Sequence, residues 1–238
     1  MPSDIEHRWA EVSGHKVHYV FAGNGHPVVM VHGGANDWNE WSTNIGDLAE
    51  YYRIYALDLP GFGLSPGWKT RCTYTDLLSF MHDFVDAIGL DRTHLIGHSL
   101  GGRVCLDFAL TYPQRVERMV LVDSSGLAKI TRLGLLVSSV IWIMRRLVLL
   151  HKTCAKVTEE TVMNHERDYP QCLARIQTPT LVIWGQKDIY LPVEQARRTY
   201  RLLPDARLEV FPSCGHAPHR ENPEAFKKAI LQFLAGER

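Results

Sequence analysis

The stretch Thr93-His94-Leu95-Ile96-Gly97-His98-Ser99-Leu100-Gly101-Gly102-Arg103-Val104-Cys105-Leu106-Asp107-Phe108-Ala109-Leu110 decides how the chain is read. An apolar run enters Gly97-His98-Ser99-Leu100-Gly101, and a helix-like run leaves it. A serine stands exposed on such an elbow only if a strand turns into a helix within about two residues. The flanking glycines leave room for neighbouring backbone, where a Cβ would clash. Five letters of this kind arise by chance in ordinary loops; between a buried strand and a helix they point to a nucleophile.

Outward from the elbow the same alternation repeats. Residues 8–23 alternate apolar and polar and predict two strands with a turn at Ser13-Gly14. Pro27-Val28-Val29-Met30-Val31 and Arg53-Ile54-Tyr55-Ala56-Leu57-Asp58 are continuous apolar runs, as in strands buried on both faces. Residues 118–123, 178–184 and 207–211 read as further strands. Helices are predicted over 38–51, from a cap at Thr75 to a stop at Gly89, after the elbow, over 194–203, and from Asn222-Pro223 onward. The pattern predicts an α/β fold: a mostly parallel twisted sheet with helices on both faces. The whole chain, 1–238, reads as one such domain, with a helical cap at 126–176 inserted within it.

Composition narrows the function. The 238 residues are 45% hydrophobic and 22% charged, enough for one large core. Lys plus Arg equals Asp plus Glu at 26 each, so no global basic field invites nucleic acid. Cys72, Cys105, Cys154, Cys172 and Cys214 are odd in number and scattered, which disfavours a disulfide framework or zinc site and favours a reducing, cytoplasmic setting. The start, Met1-Pro2-Ser3-Asp4, lacks the basic and apolar segments of a signal peptide.

A serine hydroxyl is a poor nucleophile without a base, and the base needs an orienting acid. On a sheet of this kind both are expected at the ends of later strands, acid before histidine. Asp188 follows the apolar run Val182-Ile183-Trp184 and His216 follows the last predicted strand. Asp123, ending an earlier strand, is the rival acid, and His219 the rival base. Oxyanion donors are expected from the backbone N–H of Leu100 and, after His32-Gly33, of Gly34.

These motifs resemble the α/β-hydrolase fold superfamily, in its serine-nucleophile, esterase-like branch, over nearly the whole chain. The resemblance rests on His32-Gly33-Gly34 with Trp41, Asp58-Leu59-Pro60-Gly61-Phe62-Gly63-Leu64-Ser65, the elbow, Trp184-Gly185-Gln186-Lys187-Asp188, and Gly215-His216-Ala217-Pro218 with Glu221 and Pro223. It implies a triad of Ser99, Asp188 and His216 and no metal or cofactor. The superfamily's dehalogenases and epoxide hydrolases use an aspartate nucleophile, so Ser99 disfavours both. Asn36-Asp37 stands where many relatives have Gly-Ser, and the insertion is shorter than in many capped members.

The insertion carries an uncharged run, Leu133 to Met144, broken by Arg145-Arg146. It is short of a membrane span and reads as a lid, though membrane contact through it is an alternative. Leu136, Val140, Trp142 and Ile143 are expected to line an acyl pocket, and Trp38 is a further substrate-binding candidate. The expected activity is hydrolysis of esters of small, largely apolar molecules through an acyl-enzyme. A C–C bond hydrolase of the ring-cleavage-product type, or a non-catalytic hydrolase-like receptor, are the alternatives. Oligomeric state is left open.

Overall fold

The computed structural model describes residues 5–67, 73–127, 134, 136 and 169–237. Eight strands form one sheet: β1 (Glu6–Val12), β2 (His15–Ala22), β3 (Pro27–Val31), β4 (Arg53–Leu57), β5 (Thr93–His98), β6 (Val116–Val122), β7 (Thr180–Gly185) and β8 (Ala206–Phe211). Their order is β1-β2-β4-β3-β5-β6-β7-β8, antiparallel from β1 to β4 and parallel from there to β8. The helices bounded among the described residues are α1 (Ser42–Ala49), α2 (Tyr74–Ala87), α3 (Leu100–Thr111), α4 (Tyr169–Leu173), α5 (Val193–Leu202), α6 (Pro218–Glu221) and α7 (Pro223–Leu234).

The apolar strands are apolar because each buries both faces. In β3, Val29 and Val31 pack with Leu77, Phe84 and Val104 of α2 and α3. Val28 and Met30 point to the other side and pack with Ile45, Phe226 and Ile230 of α1 and α7. Two cores thus sandwich the sheet, as period-two alternation of side chains requires.

Two helix starts differ from the sequence expectation. The helix expected over 38–51 begins as a 3-10 turn, Trp38–Trp41, and becomes α-helical only at Ser42. Asp37 accepts the Asn39 N–H there and fixes the tighter start. α2 is capped by Thr73, not Thr75: Thr73 accepts from the Asp76 N–H while the Asp76 carboxylate accepts from the Thr73 N–H, a reciprocal box. The predicted strands at 118–123, 178–184 and 207–211 shift by one or two residues. Of the inserted 126–176 segment, most lies outside the described residues.

β3 is the pivot for the site. From it the chain steps to β4 on one side and then returns to β5 on the other, so the loops after β3 and β5 diverge from neighbouring strand ends. Such a switch in winding opens a crevice at the carboxyl ends of the strands. The N-terminus of α3 closes tightly on β3. A Cβ on Gly101 would strike the Val31 carbonyl, and one on Gly97 would strike the backbone of Gly101. Gly101→Ala is therefore expected to lower stability by about 1–3 kcal/mol through overpacking. A fall in the urea midpoint at constant slope checks this; an unmoved midpoint would mean that α3 slides off β3 freely.

Candidate active site

Ser99 sits between β5 and α3 with φ +48° and ψ −111°, a region that a residue with a Cβ rarely occupies. The strain is held by backbone bonds on both sides. Its N–H donates to the Val122 carbonyl (3.0 Å), and its carbonyl accepts from the N–H groups of Arg103 (3.2 Å) and Ser125 (3.0 Å). The peptide is pinned at the edge of the crevice with the side chain half buried.

Asp188 and His216 meet at the ends of β7 and β8. Asp188 Oδ2 lies 2.7 Å from His216 Nδ1, while Oδ1 accepts from the N–H groups of Tyr190 (2.7 Å) and Leu191 (3.1 Å). The two loops are stitched together where Gln186 N–H donates to Phe211 O and Lys187 N–H to Cys214 O. A carboxylate at Nδ1 places the proton there and leaves Nε2 with its lone pair, the tautomer a general base needs. Glu221 holds the base's loop from behind, accepting from Gly215 N–H (2.8 Å) and Ala217 N–H (3.1 Å).

The rival acid lies in the same cluster. Asp123, fully buried at the end of β6, accepts from the Gly185 N–H (3.1 Å) and has a donor atom within 4.8 Å of those of Asp188 and His216. Burial, then the neighbouring Asp188, push its carboxyl well above the usual range, so it stays protonated. Burial works to raise Asp188 too, but the hydrogen bond from His216 prevails and holds it below the usual range. The pair thus carries one negative charge, on the member bonded to the histidine. Burial, reinforced by the charge of His98, outweighs Asp188 and lowers His216 below the ordinary histidine value.

Gly34 and Leu100, the residues of the expected oxyanion donors, are neighbours in space. A Cβ on Gly34 would lie 3.9 Å from the Leu100 side chain. Gly33 N–H is committed to Glu40 Oε2 (2.6 Å), which fixes the His32–Gly33 peptide, one residue before Gly34. His32 accepts from Leu59 N–H through Nε2 (3.0 Å), so Nδ1 carries the proton and donates to Gly33 O (2.7 Å). Asp58 accepts from Trp38 N–H (2.7 Å) and Leu64 N–H (2.9 Å), tying the loop after β3 to the loop after β4.

The substrate-binding candidates fare unevenly. Trp38 is half buried beside the oxyanion loop, its ring edge-on to His7 at 5.1 Å. Leu136 is 63% exposed. Val140, Trp142 and Ile143 lie outside the described residues. His219, the rival base, is fully buried against Trp41 and away from solvent.

Sequence reading passed over Glu40 and His98. Glu40 accepts from Gly33 N–H and Asn36 Nδ2 (2.6 Å each), and Oε1 lies 2.9 Å from His98 Nδ1. The ring of His98 lies 4.8 Å from that of His216, and Nε2 contacts the His216 carbonyl at 2.7 Å. Glu40, His98 and His219 form one compact donor group, and Asp123, Asp188 and His216 another. Their 2.7–2.9 Å separations are hydrogen-bond and ion-pair distances. Two ligands of a tetrahedral zinc would stand about 3.3 Å apart. The Asp188–His216 contact is a hydrogen bond and the Glu40–His98 contact an ion pair, while His219 Nε2 stands farther off, 3.8 Å from Glu40.

The family pattern described as alpha/beta hydrolase fold matches residues 26–149 and 162–223. The chain is 30% identical over 266 aligned positions to a 2-hydroxy-6-oxo-6-phenylhexa-2,4-dienoate hydrolase of Burkholderia cepacia, covering 94% of this chain and 93% of that protein. Among solved structures it resembles a meta-cleavage product hydrolase from Pseudomonas fluorescens (TM-score 0.80, 23% identity, 96% of this chain and 97% of that one). It resembles equally a carboxylesterase from Bacillus subtilis (TM-score 0.81, 24% identity, 99% and 93%).

Two outcomes follow from the cluster of acids and histidine. Asp188→Asn is expected to cut kcat by about four orders of magnitude, since the amide can hold the wrong tautomer. Asp123→Asn replaces a protonated acid with a neutral isostere and is expected to cost less than about tenfold. The reverse ranking in kcat would move the acid to β6. In addition, kcat/KM is expected to rise with pH as His216 loses its proton, with a midpoint below about 6.5. A midpoint above that value would show that Asp188, not burial, governs the histidine.

Proposed function

The chain belongs to the alpha/beta hydrolase fold family, and within it we propose a serine hydrolase that breaks the carbon–carbon bond beside a ketone in a 2-hydroxy-6-oxo-dienoate, the product class of aromatic ring cleavage. Ser99 attacks the ketone carbon while His216 takes its proton. The Gly34 and Leu100 N–H groups receive the oxyanion, and Asp188 stabilises the imidazolium. The substrate reacts as its 2-oxo tautomer, in which the proton of the 2-hydroxyl has moved to the carbon beside the ketone. The tetrahedral species then collapses, the C–C electron pair passes through the C3=C4 bond into the 2-oxo oxygen, and His216 returns the proton to that oxygen. Water, activated by the same histidine, releases the acid from Ser99.

The observation that carries the reading is the Asp188–His216 pair, bonded at 2.7 Å at the same edge of the sheet as a serine held at positive φ. That arrangement supports acyl transfer of either kind. A carbon leaving group adds a demand: its electron pair must be delocalised, here into the 2-oxo group of the ketonised substrate. Such a substrate is anionic. Residues 127–153 contain Lys129, Arg132, Arg145, Arg146 and Lys152 and no acidic residue, a composition suited to an anion. The Burkholderia relative, named for such a dienoate, adds support across 94% of the chain.

Ester hydrolysis is the second reading, favoured by the uncharged Leu133–Met144 run, which suits an apolar acyl group. Among the described residues no helix is long and apolar enough to cross a membrane. The odd, scattered cysteines support a cytoplasmic site of action.

The deciding measurement compares kcat/KM for 2-hydroxy-6-oxo-6-phenylhexa-2,4-dienoate, followed by loss of its absorbance, with a p-nitrophenyl ester series of increasing acyl length. The dienoate is expected to exceed the best ester by about a hundredfold, the scale on which fitted polar groups discriminate. Ser99→Ala is expected to lose about six orders of magnitude in kcat on both. An ester preferred over the dienoate, with a chain-length optimum, would replace the C–C reading with the ester one. Retained turnover by folded Ser99→Ala would remove both.

A further inference from the structure

We propose that Glu40 and His98 form a buried ion pair that positions the oxyanion loop and the loop of His216 together, and that the His98 cation keeps His216 in its neutral, basic form. This rests on the reading of His216 as general base and adds two positioning residues to it.

The charge on His98 follows from its neighbours. Nε2 stands 2.7 Å from the His216 carbonyl, an atom that only accepts, so Nε2 carries a proton. Nδ1 stands 2.9 Å from a Glu40 carboxylate oxygen, which also only accepts. A bare Nδ1 there would set lone pair against anion, so it too carries a proton and the ring is an imidazolium. The carboxylate lies off the line of that N–H: Nδ1 makes no aligned hydrogen bond, and the contact is ionic. Both side chains are more than nine-tenths buried, which makes the pairing obligatory. Burial acts against charging each of them. Glu40 is nonetheless held far below the usual carboxylate range by His98, and His98 above the usual histidine range by Glu40.

The pair has reach because each partner also holds a catalytic element by its backbone. Glu40 takes the N–H of Gly33, one residue before the expected oxyanion donor, and the side-chain amide of Asn36. His98 precedes Ser99 and grips the carbonyl of His216 itself. Three loops, after β3, β5 and β8, thus converge on one charge pair. Burial first, then the His98 charge, lower His216.

The other groups around the two histidines are accounted for. His216 also faces Asp188, with protonated Asp123 behind it, and the ring of Tyr190 at 5.0 Å. His98 also faces His219 of α6, whose ring lies 4.7 Å away and which burial, then the His98 charge, keep neutral; Arg220 follows it. Glu221 is occupied by the backbone of Gly215 and Ala217.

The test is the pH dependence of kcat/KM on whichever substrate the wild type turns over, for His98→Asn, Glu40→Gln and the double variant. His98→Asn removes the cation and leaves the Glu40 anion facing His216, so the acid limb is expected to move up by about one pH unit. Glu40→Gln lets His98 go neutral and removes both charges, giving a smaller upward move. The double variant, amide against amide, is expected to share that smaller move and to recover activity lost by His98→Asn. It also avoids an unpaired buried charge, so it reports even if a single variant fails to fold. A wild-type limb that stays put in the double variant, with kcat falling only as stability falls, would overturn the proposal. A wild type without any acid limb would instead remove His216 as base.

Discussion

The Ser99 backbone is strained, and a strained turn persists only where its surroundings leave no alternative. Here the surroundings are glycines. Gly97 and Gly101 let β5, the elbow and β3 approach to backbone contact, and the carbonyl of Ser99 is then spent on Arg103 and Ser125. The close approach fixes where α3 begins, and with it Leu100. Since β3 is hydrogen-bonded on both sides, its end cannot drift from β5, and the loop bearing Gly33 and Gly34 inherits that position. Serine, expected oxyanion donors and crevice are three results of one packing constraint.

Around that constraint the chain spends buried charge sparingly. Asp123 avoids charge by keeping its proton, Asp188 is charged and bonded, and Glu40 is charged against His98. Each state lowers the cost of the next: a second anion beside Asp188 would repel, and a lone cation beside His216 would be unsupported. The base thus sits between a carboxylate on its ring and a cation behind its backbone.

Much of this was legible from local pattern. A β-branched run, a glycine-flanked serine and a helix period are short-range signals, and β5, the elbow and α3 stand where they point. Asp188 and His216 were legible as strand-end residues, and their 2.7 Å contact joins two loops 28 residues apart. Asp188 outranked Asp123 in sequence only on the turn that follows its strand; the physical difference is which carboxylate reaches the ring. Thr75 was mistaken for the cap because its fit to the helix pattern is as good; only the reciprocal bond to Asp76 selects Thr73. Glu40 was illegible for a stronger reason. In sequence it looks like a polar residue in a helix start, and its meaning comes from His98, 58 positions away, and from a backbone N–H that no side-chain pattern reveals.

Ser99, Asp188, His216 and Gly33 are each held by bonds to the strand ends and their neighbouring loops: Val122, Arg103 and Ser125 for Ser99, Tyr190 and Leu191 for Asp188, Asp188 for His216, and Glu40 for Gly33. The inserted segment, 126–176, enters the chain between β6 and β7, and Leu127, Leu173 and Ile176 at its two ends belong to the core. Substitutions at 128–168 leave every one of those named partners unchanged, so the strand-end bonds and the inserted segment are free to vary as separate stretches of sequence.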